Sequence, residues 1–186
     1  MDYVAARKAV SGVRDLPTLP CALARLRHVL ADANANGAAL AAVIASDPSL
    51  SARVLRMSSS AYYVSQKTCD ITKAVAQLGF GSISPVAGAV AVCKGFDDDK
   101  SGAFDRTEFW RHSIAVAVVA RAIAIQTGAA APNDAYACGL LHDMGKLVLD
   151  QYLHGEFAKA LSSAAAGKKP LIKAERETTQ IDHTMI

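Results

Sequence analysis

Three residues in the run CGLLHDMGK, Cys138 to Lys146, carry groups that can do chemistry. His142 and Asp143 are adjacent, and Lys146 follows within one helical turn. Neutral imidazole and carboxylate are donors that suit Zn, Mn, Fe or Ni. Adjacent residues of an α-helix point about 100° apart, so both can reach one ion only if it lies off the flank or end of the helix. Lys146 falls on the same face as the pair, where it can contact a phosphate oxygen or neutralise Asp143. A metal with an open coordination position would activate water for phosphoester hydrolysis. The same residues also allow a metal-free arrangement. A buried imidazole paired with Asp143, with Lys146 capping the acid, satisfies every polar group.

The remaining histidines are His28, His112 in FWRHS, His154 and His183 in IDHTMI. His112, His142 and His183 belong to separate helical segments, so only tertiary structure could unite them. His28 and His154 have no companions in the sequence and read as surface or structural residues. A second chemical feature is DDDKSGAFDRTE, Asp97 to Glu108. It matches the calcium loop of EF-hands, with Asp97, Asp99, Ser101, Gly102, Phe104, Asp105 and Glu108 at the expected positions. EF-hands generally come in pairs. The preferred reading is therefore an acidic loop that ends in a capping Asp105 and a first-turn Glu108, without calcium.

The elements that must position these residues are helical. The chain has 186 residues, 52% hydrophobic and 20% charged, enough for one domain with a real core. Aromatics are only 6%, and alanine is abundant, which suits closely packed helices. Leu19, Leu23, Leu26 and Leu30 recur at helical spacing after the prolines of LPTLP. Asp47-Pro48 is a helix start, with a capping acid and proline in the first turn. Leu50, Val54, Leu55 and Met57 form the stripe of the helix that follows. Gly79 stops a short helix, and Ser84-Pro85 restarts another to about Lys94. The segment from Arg106 to Gly128 is apolar nearly all round and reads as a central buried helix. The run from Ala135 to Leu153 reads as one helix, or as two joined near His142 and Asp143. No convincing strand pattern occurs. The expectation is an all-α fold.

Net charge is +3, and the basic residues are interleaved with acids. Nothing forms a basic arm or stripe, so direct nucleic-acid binding is not expected. Arg25, Arg53 and Arg56 read as solvated helix faces. Cys21, Cys69, Cys93 and Cys138 form no CxxC pair and read as reduced thiols of a cytoplasmic protein. The N-terminus lacks a signal-peptide core. The most apolar stretch, Ile114 to Ile125, is too short to cross a bilayer and contains Arg121. Trp110 is expected in the core, and Tyr62 and Tyr63 are expected as packing residues.

Taken in order, LPTLP, ASDPSLSARVLRMSSSAYY, ITKAVAQLGF, FWRHSIAVAVVARAIA, AYACGLLHDMGKLVLD and AERETTQIDHTMI resemble the HDOD domain, the HD-related output domain of bacterial signal-transduction proteins. WRHS followed by LLHDMGK is similar to the wider HD superfamily of metal-dependent phosphohydrolases. The resemblance implies a single HDOD-like domain over 1–186. Residues 1–101 would form an upstream helical lobe. Residues 102–186 would form an HD-like lobe that stops short of the family's later helices. It places metal ligands on His112, His142 and Asp143, and matches His183 to a later histidine of the family pattern. It also implies a regulatory, mostly non-catalytic role through a signalling protein partner of a two-component or cyclic-di-GMP pathway, or through a second copy of the chain. The alternative is a metal-dependent HD-type phosphohydrolase, with Lys146 as a phosphate contact. HD enzymes need a second Asp from a later helix, and Asp182 precedes the region where that helix would lie. A calcium- or nucleotide-responsive module is a third reading.

Overall fold

Helical spacing and caps become local structure in a computed structural model that describes residues 2–11, 18, 20–32, 34–60, 68–83, 103–167 and 169–186. No strand occurs among these residues, and the fold is all-α. The helices are α1 (Tyr3–Ser11), α2 (Pro20–Ala31), α3 (Gly37–Ala45), α4 (Pro48–Ser58), α5 (Ile71–Leu78), α6 (Arg106–Thr127), α7 (Pro132–Leu141), α8 (Met144–Tyr152), α9 (His154–Gly167) and α10 (Leu171–Thr179). A 3-10 turn, His183–Met185, follows α10. None of the described helices is long and apolar enough to cross a membrane.

The helix starts are set by short polar side chains. Asp47 is extended and accepts from the Leu50 N–H at 2.8 Å, with Pro48 in the first turn of α4. Asn36 does the same for α3 through Ala39. Asp70 accepts from Thr72 and Lys73 at the start of α5. Asp105 accepts from Glu108 at the start of α6. Each such cap is worth about 0.5–2 kcal/mol, because it satisfies an N–H that the helix itself cannot. Gly79 ends α5 at φ 75, a left-handed conformation that costs glycine nothing.

Two compact units share the chain. One comprises Met1–Leu16, Asp99–Phe109 and His142–Ile186, and the other Pro17–Asp98 and Trp110–Leu141. In the second unit, Leu26, Leu40, Ile44, Val54, Ile71, Val75, Leu78 and Leu140 make a buried core, with Tyr136 packed against it. Burying side chains of this size contributes about 1.5–3 kcal/mol each. Trp110 lies in this unit and is buried, as its place in the sequence predicts. The first unit packs Ala6, Leu149, Leu153, Phe157 and Ile181 together. Phe104 meets Phe157 nearly edge-on, with ring centroids 5.3 Å apart.

Helix α6 departs from the expectation of a buried central helix. Val118, Val119, Ile123 and Ile125 are 55–59% exposed. The residues it buries beyond Trp110 are small: Ser113, Ala117 and Ala124. The reason is close backbone approach. A Cβ on Gly139 of α7 would stand 2.8 Å from the Ala117 Cα, so α6 has only a small residue at that contact, while Ile114 packs against the core. Tyr62, Tyr63, Cys93, the helix expected from Ser84-Pro85 to Lys94, and Asp97 to Gly102 lie outside the described residues. Cys21, Cys69 and Cys138 are free and exposed.

Candidate functional site

The run from Ala135 to Leu153 forms two helices. α7 ends at Leu141, α8 begins at Met144, and His142 and Asp143 are the turn between them. Asp143 stands at the N-cap position of α8, yet its side chain caps no backbone N–H there. Its carbonyl does the local work and accepts from the Lys146 N–H at 2.9 Å. Its carboxylate is therefore directed at side chains. Lys146 Nζ donates to Asp143 Oδ2 at 2.5 Å, and His142 Nε2 lies 3.4 Å from the same oxygen. His183 Nε2 lies 3.6 Å from Oδ1. Asp143 is buried, while Lys146 is partly exposed and His142 is exposed. Burial pushes the Asp143 carboxyl up. The Lys146 hydrogen bond and the charges of Lys146, His142 and His183 outweigh that and hold it below its ordinary value.

Behind His183 stands a residue that the sequence reading missed. Glu175 on α10 is fully buried. Its Oε2 accepts from the His183 backbone N–H at 3.1 Å and lies 2.6 Å from His183 Nδ1. Its Oε1 is buried with no hydrogen-bond partner. Glu175 is four residues from Leu171 and from Thr179, on the inner stripe of an otherwise polar helix. AERETT holds three charged residues, and nothing in the sequence marks Glu175 as the inward one. The backbone on the other side is equally close. A Cβ on Gly145 would collide with the His183 carbonyl, so only glycine fits there.

Asp182, the acid beside His183, is committed elsewhere. Its Oδ1 caps the 3-10 turn through the Thr184 N–H at 2.9 Å, and Arg176 Nε donates to its Oδ2 at 2.5 Å. Burial raises the Asp182 carboxyl, but the bonds from Thr184 and Arg176 prevail and lower it. His154 is exposed, in keeping with a surface residue, but it does have a companion. Its Nδ1 lies 3.1 Å from Asp150 Oδ1, and Arg106 Nε donates to Asp150 Oδ2 at 2.6 Å. The i,i+4 spacing of Asp150 and His154 brings them together.

Four residues were expected to form the site. His142, Asp143 and His183 fall in one unit, while His112 lies on the part of α6 that belongs to the other. His112 and His142 are exposed rather than buried, contrary to the reading that put both on buried helices. His112, His142 and Asp143 each offer one ligand atom of the kind a divalent metal takes. An imidazole and a carboxylate, as in His142 and Asp143, suit a transition metal better than calcium or magnesium, which prefer oxygen.

A family model described as HDOD domain matches residues 16–186. Among solved structures, the chain is similar to the MmoQ response regulator of Methylococcus capsulatus strain Bath. Identity is 29% and the TM-score 0.79, covering 92% of this chain and 69% of that one. It shares its fold with a virulence factor of Campylobacter jejuni at 22% identity and a TM-score of 0.77, covering 98% of this chain and 66% of that one. An uncharacterized protein of Treponema pallidum strain Nichols is 28% identical over 141 residues, which are 73% of this chain and 26% of that protein. The chain thus spans about a quarter of the length of that curated relative.

Proposed function

The chain belongs to the HDOD domain family, and from that premise we propose a regulatory, non-catalytic domain of bacterial signal transduction that acts through a protein partner. The observation that carries this reading is the ion pair between Asp143 and Lys146 at 2.5 Å. The acid that an HD-type hydrolase would devote to its metal already has an internal cation. The neighbouring acid, Asp182, is taken by Arg176 and Thr184. Similarity to a response regulator supports a place in signalling. A divalent transition metal, Mn, Fe, Zn or Ni, would have to compete with Lys146 for Asp143, with His142 as the neighbouring donor. Its role here is to occupy the turn that links α7 and α8, not to run hydrolysis.

The second reading is a metal-dependent phosphohydrolase. It draws on the same donor set and on Lys146, which is partly exposed and lies within reach of an incoming phosphate. One assay separates the two. Phosphoester hydrolysis is measured with added manganese on the parent and on Asp143→Ala. The regulatory reading expects negligible turnover in both, with a clear loss of thermal stability in the variant. Robust parental turnover that disappears in Asp143→Ala would replace it with the hydrolase.

A further inference from the structure

The two oxygens of Asp143 have different neighbours. Oδ2 meets Lys146 at 2.5 Å and His142 at 3.4 Å, and the side chains of these residues are 22% and 36% exposed. Oδ1 meets His183 at 3.6 Å, and that side chain is only 9% exposed. His183 is held in turn by Glu175, which bonds both its backbone N–H and its Nδ1. A carboxylate only accepts, so the proton of this bond sits on Nδ1, and Nε2 is the atom turned to Asp143. Gly145 brings the start of α8 into contact with the His183 backbone, which fixes where the ring is attached. Glu175 is wholly buried and keeps one oxygen without a hydrogen bond. That is a costly placement for a carboxylate whose only task is to close a helix end.

We infer that Glu175 and His183 are positioning residues for a divalent-cation site at Asp143. Glu175 fixes the His183 ring, Nε2 of that ring faces Asp143 Oδ1 at 3.6 Å, and Lys146 and the cation compete for Oδ2. This rests on the metal reading above and adds two residues to it. Partners behind a ligand set its orientation, and their loss typically costs about 10–100-fold in metal affinity. Lys146 competes with the cation for Oδ2, so its removal acts in the opposite direction.

The test uses the full chain and Co2+ as probe, followed by its visible absorption, with Glu175→Gln, His183→Gln and Lys146→Gln beside the parent. Glu175→Gln and His183→Gln are expected to weaken Co2+ binding by about tenfold or more and to change the shape of the absorption band. Lys146→Gln is expected to tighten binding. Hydrogen exchange of the metal-free proteins is the second readout. Glu175→Gln should speed exchange at 143–146 and 183–185 and leave α3 and α4 unchanged. A parent that binds Co2+ with both variants equal to it overturns the inference while the metal reading stands. A parent that does not bind Co2+ removes the metal reading. The clamp on Asp143 then stands or falls on the exchange data, and unchanged exchange at 143–146 overturns it.

Discussion

The Trp110 indole N–H donates to the Asp47 carboxylate at 3.2 Å, tying the start of α4 to α6 within one unit. Asp47 serves two purposes with its two oxygens. Oδ1 caps Leu50, and Oδ2 takes the indole. Both residues are buried, so the bond is shielded from water. Trp110→Ala is expected to cost about 3–5 kcal/mol, the usual range for an aromatic removed from a core. Denaturant melts would measure this. Trp110→Phe should recover part of the packing but not the indole bond. A double-mutant cycle with Asp47→Asn then isolates the polar contribution.

Asp70 gives the protein an acid-sensitive joint. Burial pushes its carboxyl up, but hydrogen bonds from Asn133, Lys73 and Thr72, with the Lys73 charge, hold it below its ordinary value of 3.8. A carboxyl lowered in the folded state stabilises fully above the unfolded value, and the contribution fades as pH falls through the lower folded value. Asp70→Ala is therefore expected to cost about 1–2 kcal/mol at neutral pH, from the lost cap and the Asn133 bond. The gap from the parent should narrow below about pH 4. Thermal melts across a pH series would check both the size and the narrowing.

Lys146→Gln leaves the buried Asp143 carboxylate without its nearest cation. A loss of about 1–3 kcal/mol is expected, below the cost of breaking a fully buried pair, because Lys146 is partly exposed. Added Co2+ or Zn2+ should restore much of the loss if the cation takes over Oδ2. Melting curves with and without metal would read this directly.

Calcium is expected to leave the melting temperature unchanged. Asp105, one of the oxygen donors in the calcium-loop pattern, already accepts from the Glu108 N–H at 2.9 Å. A calcium-induced rise in melting temperature that disappears in Glu108→Gln would show that Asp97 to Glu108 binds the ion.

The helical class and several of its boundaries were legible because local rules decide them. Asp47-Pro48 and Gly79 act over a few residues and stand where the sequence puts them, and of the two readings open for Ala135 to Leu153 the structure takes the one with a break at His142-Asp143. The burial of α6 was not legible. An apolar run does not reveal which side the neighbouring backbone will approach, and here Gly139 selects the alanine side. Half of the candidate site was visible in HDMGK, including the Asp143–Lys146 contact that i,i+3 spacing allows. Glu175 was hidden for the opposite reason. In AERETT it is one charged residue among several, and only the fold shows that it points inward while Glu177 stays at the surface.

Gly139 and Gly145 flank the His142-Asp143 turn, and neither has space for a single added carbon. One is barred by the Ala117 backbone and the other by the His183 carbonyl. The geometry at the turn is thus specified by what is missing from two side chains as much as by the groups that are present. A chain that kept the dipeptide but carried alanine at either glycine would hold the same donors on a displaced backbone. The meaningful unit in this sequence is therefore the seven-residue frame GLLHDMG, in which two empty positions act as the gauge for the reactive pair.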